Sequence, residues 1–399
     1  MRCYSAAAMV ESETPTTTPA NPIPMRVGMT APEAFPAAEM AEAAGRAILD
    51  IGKDFAFYPG DLGHPGLREV LARREADREG ADFDPDEIAL TNGSMQAVTL
   101  VGRVLMEEPG DVVVTEETTY SGTLGAYRGL GYRLVGVPVD EQGMDIGALR
   151  RTLESLTSAG EKPRFIYTLP TYHNPTGAVM PRQRRLEMIQ AAREFDVLLV
   201  EDNCYADVHY DDAPRPPQSL YTLANGEGVV YIGSLSKILG AGVRIGYLVA
   251  RQPLQQRFLD ERFDAGQSTL SSSIVAELLR GRLPAQIERN NAALLPKRDA
   301  LLAALEQELG GVCTWRKPAG AMFLWVGLPQ EVDREALFAL SEQRGLEYGY
   351  GAAYHAGGED VPFLRLAYAC PSVGRIREGV ELLAGCLRKL VPGRFPQST

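Results

Sequence analysis

A chain of 399 residues with 45% hydrophobic content can bury the core of one or two domains, which excludes overall disorder. Its 40 basic and 52 acidic residues leave a net charge of -12, which argues against broad binding to nucleic acid or an anionic membrane and leaves small molecules as the expected partners. The five cysteines, Cys3, Cys204, Cys313, Cys370 and Cys386, form no CxxC pair and, with only four histidines, offer no metal-ligand spacing. They read as free thiols of a reducing compartment, and no metal is expected. No apolar run approaches the roughly 20 residues of a membrane span, and Ala6 to Val10 is too short for a signal core, so the cytoplasm is the expected location.

Residues 1 to 24, rich in Thr, Pro, Ser and Ala, read as a flexible arm. From residue 88 short β-branched runs alternate with helical patterns, as in a largely parallel sheet covered by helices. The predicted strands are Ile88 to Thr91, Val112 to Thr115, Arg133 to Val139, Phe165 to Leu169, Val197 to Glu201, Val229 to Gly233 and Val243 to Ala250. After Pro284 come a long helix, Asn290 to Leu309, a strand pair over Thr314 to Lys317 and Ala321 to Val326, two further helices and a strand over Phe363 to Tyr368. These belong to a smaller α+β unit.

Ligands of open α/β sheets bind beyond the carboxyl ends of the strands, so the residues there are the candidates. Thr91-Asn-Gly-Ser-Met-Gln96 joins a strand to a helix and offers backbone N–H groups to a phosphate, with Ser94 and Gln96 as added donors; an ordinary N-cap also fits. Tyr120 could stack on a planar ligand, although a core or surface tyrosine also fits, and Asn174, in His173-Asn-Pro-Thr-Gly177, could bond a ligand oxygen or belong to an ordinary turn. Asp202 follows a buried strand, where a carboxylate requires a partner: a capping role or a cationic ligand atom. In Ser234-Leu-Ser-Lys-Ile-Leu-Gly-Ala-Gly-Val-Arg244, a desolvated Lys237 would be a nucleophile toward carbonyls, and Ser234, Ser236 and Arg244 could hold a phosphate; a surface lysine in a polar turn also fits. Gly240, Gly242 and Gly246 mimic a dinucleotide fingerprint, but the residues after them read as a strand, where that fingerprint opens a helix.

A phosphate cradle, a stacking tyrosine, an acid and a buried lysine at successive strand ends match one ligand, pyridoxal 5'-phosphate. At this point the chain resembles the fold type I pyridoxal-phosphate enzymes, within them the class I/II aminotransferases of the aminoadipate and kynurenine type. The resemblance runs from about Gly28 to the C-terminal helix. It includes Gly28-Met-Thr-Ala-Pro-Glu-Ala-Phe-Pro36, Tyr58-Pro-Gly-Asp-Leu-Gly-His-Pro-Gly-Leu-Arg-Glu69 and Lys317-Pro-Ala-Gly-Ala-Met-Phe-Leu-Trp325. It implies an α/β fold with a large domain of mostly parallel, seven-stranded sheet over residues 46–285 and a small α+β domain over 286–399. Residues 25–45 would be a segment packing with the small domain and the active site. Lys237 would bind the cofactor aldehyde and later move the α-proton, Asp202 would pair with the ring nitrogen, and Tyr120 would stack on the ring. Asn174 and Tyr205 would bond the phenolic oxygen. Ser94, Met95, Gln96, Ser234, Ser236 and Arg244 would line the phosphate, Tyr58 would reach the phosphate of a second subunit in a homodimer, and Arg365, with Gly28 and Asn174, would bind the substrate.

The resemblance implies an aminotransferase moving an amino group from an L-amino acid to a 2-oxo acid. The chain departs from the family's pattern at Val27, Asp61, His64, Ala241 and Ala321, the last standing where the second glycine of a pair is usual. These departures keep a second reading open, a pyridoxal-phosphate enzyme of specialised metabolism catalysing elimination, replacement, carbon–carbon bond formation or oxidation. A third reading, the sensing domain of a transcription regulator, would need a helix-turn-helix that the Pro/Thr-rich arm cannot supply. Arg26 reads as a solvated residue, or else as a receptor for an acidic side chain.

Overall fold

The computed structural model describes residues 21–395, so the arm as far as residue 20, Cys3 included, lies outside them. Ile23 and Pro24, expected in the arm, instead belong to strand β1 (Ile23–Met25). Helices α1 (Ala37–Ile51) and α2 (Pro65–Glu79) follow. The alternation then begins with β2 (Ile88–Asn92), α3 (Ser94–Leu105), β3 (Val112–Glu116), α4 (Ser121–Leu130) and β4 (Arg133–Val137). A short ribbon, β5 (Val139–Asp140) and β6 (Gly143–Met144), leads into α5 (Ile146–Ser158), β7 (Phe165–Thr168), α6 (Arg182–Glu194) and β8 (Leu198–Asp202). Next come α7 (Leu220–Leu223), β9 (Val229–Ser234), β10 (Ile245–Val249), α8 (Leu254–Asp260) and α9 (Thr269–Leu279). The chain closes with α10 (Leu283–Leu309), β11 (Phe323–Gly327), α11 (Arg334–Gln343), β12 (Leu346–Tyr350), β13 (Phe363–Ala367) and α12 (Val373–Leu390).

Seven strands form one sheet in the order β2-β10-β9-β8-β7-β3-β4, parallel except for β10, which runs against both its neighbours. Strands β3, β7, β9 and β10 are buried along their whole length, which is why they read as unbroken apolar runs: helices cover both faces. A second sheet, in the order β1-β12-β13-β11, takes its first strand from the N-terminal segment.

Besides β1 and β12, which were not among the predicted strands, and the strand expected over Arg133 to Val139, which stops at Val137 before Pro138, three elements differ from the sequence expectation. The run Thr314 to Lys317 makes only one bridge, Thr314 to Gly327, because Arg316 and Lys317 turn outward to Glu141 and Asp212 and Pro318 lacks an N–H for a ladder. The strand expected from Val243 starts at Ile245, since Ala241–Val243 is a 3-10 turn and Arg244 is left-handed with φ 54°. The long helix begins at Leu283 rather than Asn290, with Pro284 in its first turn, where a missing N–H costs nothing.

Candidate active site

The carboxyl ends of β2, β3, β7, β8 and β9 meet along one edge of the large sheet, and the polar residues singled out in the sequence stand there. At β2, Gly93 adopts φ 77° and ψ 160°, a conformation open only to glycine, and turns the chain into α3. A Cβ on Gly93 would lie 2.3 Å from a guanidinium nitrogen of Arg244, and one on Gly246 would lie 2.3 Å from the Ser94 backbone nitrogen. Two glycines thus let β10, the Arg244 head and the first turn of α3 crowd together. Arg244 donates to the Asn92 carbonyl at 2.8 Å and lies against the helix end where the N–H groups of Ser94 and Met95 emerge. Ser234 and Ser236 close the far wall, joined by the Ser236 N–H donating to the Ser234 hydroxyl at 3.1 Å.

Gln96 departs from expectation. Its carbonyl accepts from the Asn92 N–H at 2.6 Å and its amide donates to Asp264, so the side chain folds onto its own loop rather than into the cradle. Arg262, beside Asp264, donates to the Asp61 carbonyl at 2.7 Å, which ties the loop following Tyr58 to the start of α3.

Lys237 lies in the turn after β9, with its amine donating to the Gly28 carbonyl at 2.8 Å and standing 5.5 Å from the centre of the Tyr205 ring. Burial holds the pKa of its ammonium below the ordinary lysine value; Arg365 and Arg244 add to this and Cys204 and Asp202 oppose it. Asp202 ends β8, buried, and accepts from the Tyr167 hydroxyl at 2.8 Å and the Cys204 N–H at 3.3 Å. Burial raises its pKa, because among the described residues no Lys or Arg stands within ion-pair distance.

Tyr120, at the N-cap of α4, folds its ring over the first turn, where a Cβ on Gly122 would meet it at 2.6 Å. Burial raises the pKa of its phenol, with the charge of Arg365 opposing the shift and that of Asp202 adding to it. Tyr205 is buried, accepts from the Asn174 amide at 3.4 Å and packs edge-on to Phe323.

Arg365 of β13 completes the pocket from the small sheet. One of its terminal nitrogens donates to Asn174 Oδ1 at 2.8 Å and the other to the Arg26 carbonyl at 2.6 Å, while its buried Nε has no partner. The guanidinium stands 4.9 Å from the Tyr354 ring centre and 5.4 Å from that of Phe323. Arg26 sends its own side chain away, to an ion pair with Glu342 and over the Phe338 ring. Tyr58 is 86% exposed; its neighbour Phe57 is exposed too, and so is Phe263, in the loop whose Gly266 packs on Gly60.

The pocket therefore assembles Lys237, Asp202, Tyr120, Asn174, Tyr205, Ser94, Met95, Ser234, Ser236, Arg244, Gly28 and Arg365, and leaves Tyr58 outside. Sequence reasoning missed Tyr167, Cys204, Tyr354, Glu116 and the ring of His173. A tyrosine inside a fully buried strand was the available signal for Tyr167, since its hydroxyl needs a partner.

The donor set fits pyridoxal phosphate. A buried carboxylate without a countercharge suits a protonated ring nitrogen, a desolvated amine suits an aldehyde, and a guanidinium at a helix N-terminus suits a phosphate.

The aminotransferase class I and II family model matches residues 28–383. The chain belongs to that family. It is 34% identical to the 2-aminoadipate transaminase of Thermus thermophilus over 369 residues, which covers 91% of this chain and 89% of that one. The crystal structure of an alpha-aminoadipate aminotransferase from the same organism, complexed with N-(5'-phosphopyridoxyl)-L-leucine, superposes with a TM-score of 0.84 at 32% identity, covering 92% of each chain. An uncharacterised HTH-type transcriptional regulator of Bacillus subtilis is 30% identical over 92% of this chain and 74% of its own length. Among the described residues no helix is long and apolar enough to cross a membrane.

Proposed function

We propose that this family member is a pyridoxal-phosphate-dependent aminotransferase that passes an amino group from an L-amino acid to a 2-oxo acid. The observation that carries the reading is the convergence on one pocket of three ionisable groups that have no ion-pair partner among the described residues: the Asp202 carboxylate, the Lys237 amine and the Arg365 guanidinium. When bound, pyridoxal phosphate supplies the aldehyde that carries the amino group and a ring that accepts the electron pair left at the substrate α-carbon.

The protein's own groups do the rest. Lys237, its basicity lowered by burial, would take the proton from the substrate α-carbon and move it onward within the site. Asp202 would keep the ring nitrogen protonated, and Tyr167 and the Cys204 N–H hold that carboxylate in place. Tyr120 would pack on the ring, Asn174 and Tyr205 would bond its phenolic oxygen, and Ser94, Met95, Ser234, Ser236 and Arg244 would receive the phosphate. Arg365 grips the substrate α-carboxylate beside Gly28, with Asn174 fixing the guanidinium.

Tyr58 and its apolar neighbours Phe57 and Phe263 form the contact face of a homodimer, in which Tyr58 reaches the second subunit's phosphate site. Residues 25–45, 46–285 and 286–399 divide as N-terminal segment, large domain and small domain, and the enzyme works in the cytoplasm.

The test is the visible spectrum of the holoenzyme during addition of a panel of L-amino acids with no 2-oxo acid present. Stoichiometric conversion to the amino form of the cofactor, reversed by a 2-oxo acid, is the expected result and names the donor. Regeneration of the starting spectrum without an acceptor while product accumulates would transfer the chain to elimination, replacement or oxidation.

A further inference from the structure

Glu116 ends β3 with its carboxylate buried at 1% exposure, and among the described residues no Lys or Arg stands within ion-pair distance of it. Its Oε1 accepts from the Thr168 hydroxyl at 2.6 Å and the Leu169 N–H at 2.9 Å, and its Oε2 accepts from the Thr119 hydroxyl at 3.0 Å. Facing that second oxygen at 3.9 Å is Nε2 of His173, a buried ring nitrogen with no hydrogen-bond partner.

On the other side of the ring, Thr176 Oγ1 accepts from the Ala178 N–H at 3.2 Å and lies 2.8 Å from His173 Nδ1. In the tautomer in which the Thr176 hydroxyl donates to Nδ1, the ring proton is on Nε2, the nitrogen that faces the Glu116 carboxylate.

Each partner leads directly to Arg365. Asn174, next to His173, accepts from one guanidinium nitrogen at 2.8 Å. Thr119, bonded to Glu116, donates its N–H to the Tyr354 carbonyl at 2.8 Å, and the Tyr354 ring packs on the guanidinium. The Glu117 carbonyl accepts from the Ala356 N–H at 2.7 Å and stitches the same loop to the small sheet.

We propose that Glu116 and His173 act as a coupled pair of positioning residues that hold Asn174 and Tyr354 against Arg365, and so set the enzyme's affinity for the substrate α-carboxylate. This rests on the reading of Arg365 as the receptor of that carboxylate. Neither side chain is placed to touch the cofactor. Support given to Arg365 acts on ground and transition states alike, so it changes KM and leaves kcat.

The experiment uses the holoenzymes of Glu116→Gln, His173→Phe, the double variant and His173→Gln, which keeps a donor of similar reach. Propionate, a carboxylate that cannot react, is titrated against the visible spectrum of the Lys237-bound cofactor, and KM and kcat are measured with the best amino donor. The expected result is a propionate Kd and a donor KM each raised about tenfold in both single variants, equivalent to about 1.4 kcal/mol. The double variant should be no worse than either single one, His173→Gln should recover most of the affinity, and kcat and cofactor affinity should stay within about twofold. Additive losses in the double variant, a loss confined to kcat, or an unchanged propionate Kd would overturn the proposal. Propionate binding is read without turnover, so a failure of the pair is separate from a failure of the transamination reading. If His173→Phe does not fold, Glu116→Gln and His173→Gln still decide the matter.

Discussion

Replacing Gly93 by alanine tests the architecture of the phosphate cradle more sharply than removing any of its polar side chains. The backbone there stands at φ 77° and ψ 160°, and holding a residue with a side chain in that region costs about 1–3 kcal/mol. The added methyl would also stand 2.3 Å from Nη2 and 2.8 Å from Cζ of Arg244, both far inside van der Waals contact, so the guanidinium must leave the start of α3. A charge-assisted hydrogen bond to phosphate contributes about 1.5–3 kcal/mol, so its loss raises the cofactor Kd by about 10- to 100-fold. The assay is a fluorescence titration of cofactor-free protein with pyridoxal phosphate, with Arg244→Gln and the Gly93→Ala, Arg244→Gln double variant measured beside it. The double variant should bind as weakly as Gly93→Ala alone, because the methyl has already displaced the arginine. A Gly93→Ala protein that binds the cofactor with wild-type affinity would refute the reasoning, and so would a double variant in which the two losses add in full.

Asp202→Asn removes the charge that favours a protonated ring nitrogen while keeping the shape of the pocket; single-turnover amino transfer should slow by at least about 100-fold, with cofactor affinity falling far less. Arg365→Leu should raise KM for every amino acid and oxo acid tested, whereas Arg26→Ala should leave all of them within about twofold, since the Arg26 side chain pairs with Glu342 at the surface; steady-state kinetics on both variants checks the contrast. Burial pushes the Glu201 carboxyl up to about 7, against the opposing pull of Arg185. Its folded-state pKa lies above its unfolded value, so its contribution is fully present below about pH 4.5 and is lost as pH rises through about 7; the stability of Glu201→Gln relative to the parent should therefore climb by about 1–3 kcal/mol from pH 5 to pH 8 in denaturant titrations.

How far the sequence could be read depended on where each signal lay. The central large-sheet strands announced themselves because burial on both faces demands unbroken apolar runs, and their carboxyl ends then located Lys237, Asp202 and Asn174. Thr314 to Lys317 carried the same local propensity but lost its ladder to outward ion pairs and to Pro318, which are tertiary facts. Gln96 looked like a phosphate donor from its position at a helix start; that its amide turns to Asp264 depends on a loop 168 residues away in sequence. His173 read as part of a turn, and the carboxylate facing its ring lies on a different strand. Ala321, singled out as a departure from a usual glycine, does sit at φ 61°, so the backbone demand persists although the residue that meets it freely is gone.

The one reversed strand of the large sheet has a consequence for how this protein can change. Had β10 run parallel to β9, a helical crossover of a dozen or more residues would separate them. Instead Ser234 pairs with Gly246, and the chain returns to the same edge of the sheet at once, with Lys237 at one shoulder of the hairpin and Arg244 at the other. The length of that bend acts as a ruler between the site that takes the aldehyde and the site that takes the phosphate. Inserting or deleting a single residue between Leu239 and Val243 would leave every functional side chain present and still misplace one end of the cofactor relative to the other, so drift in loop length here is as tightly constrained as the identity of the lysine itself.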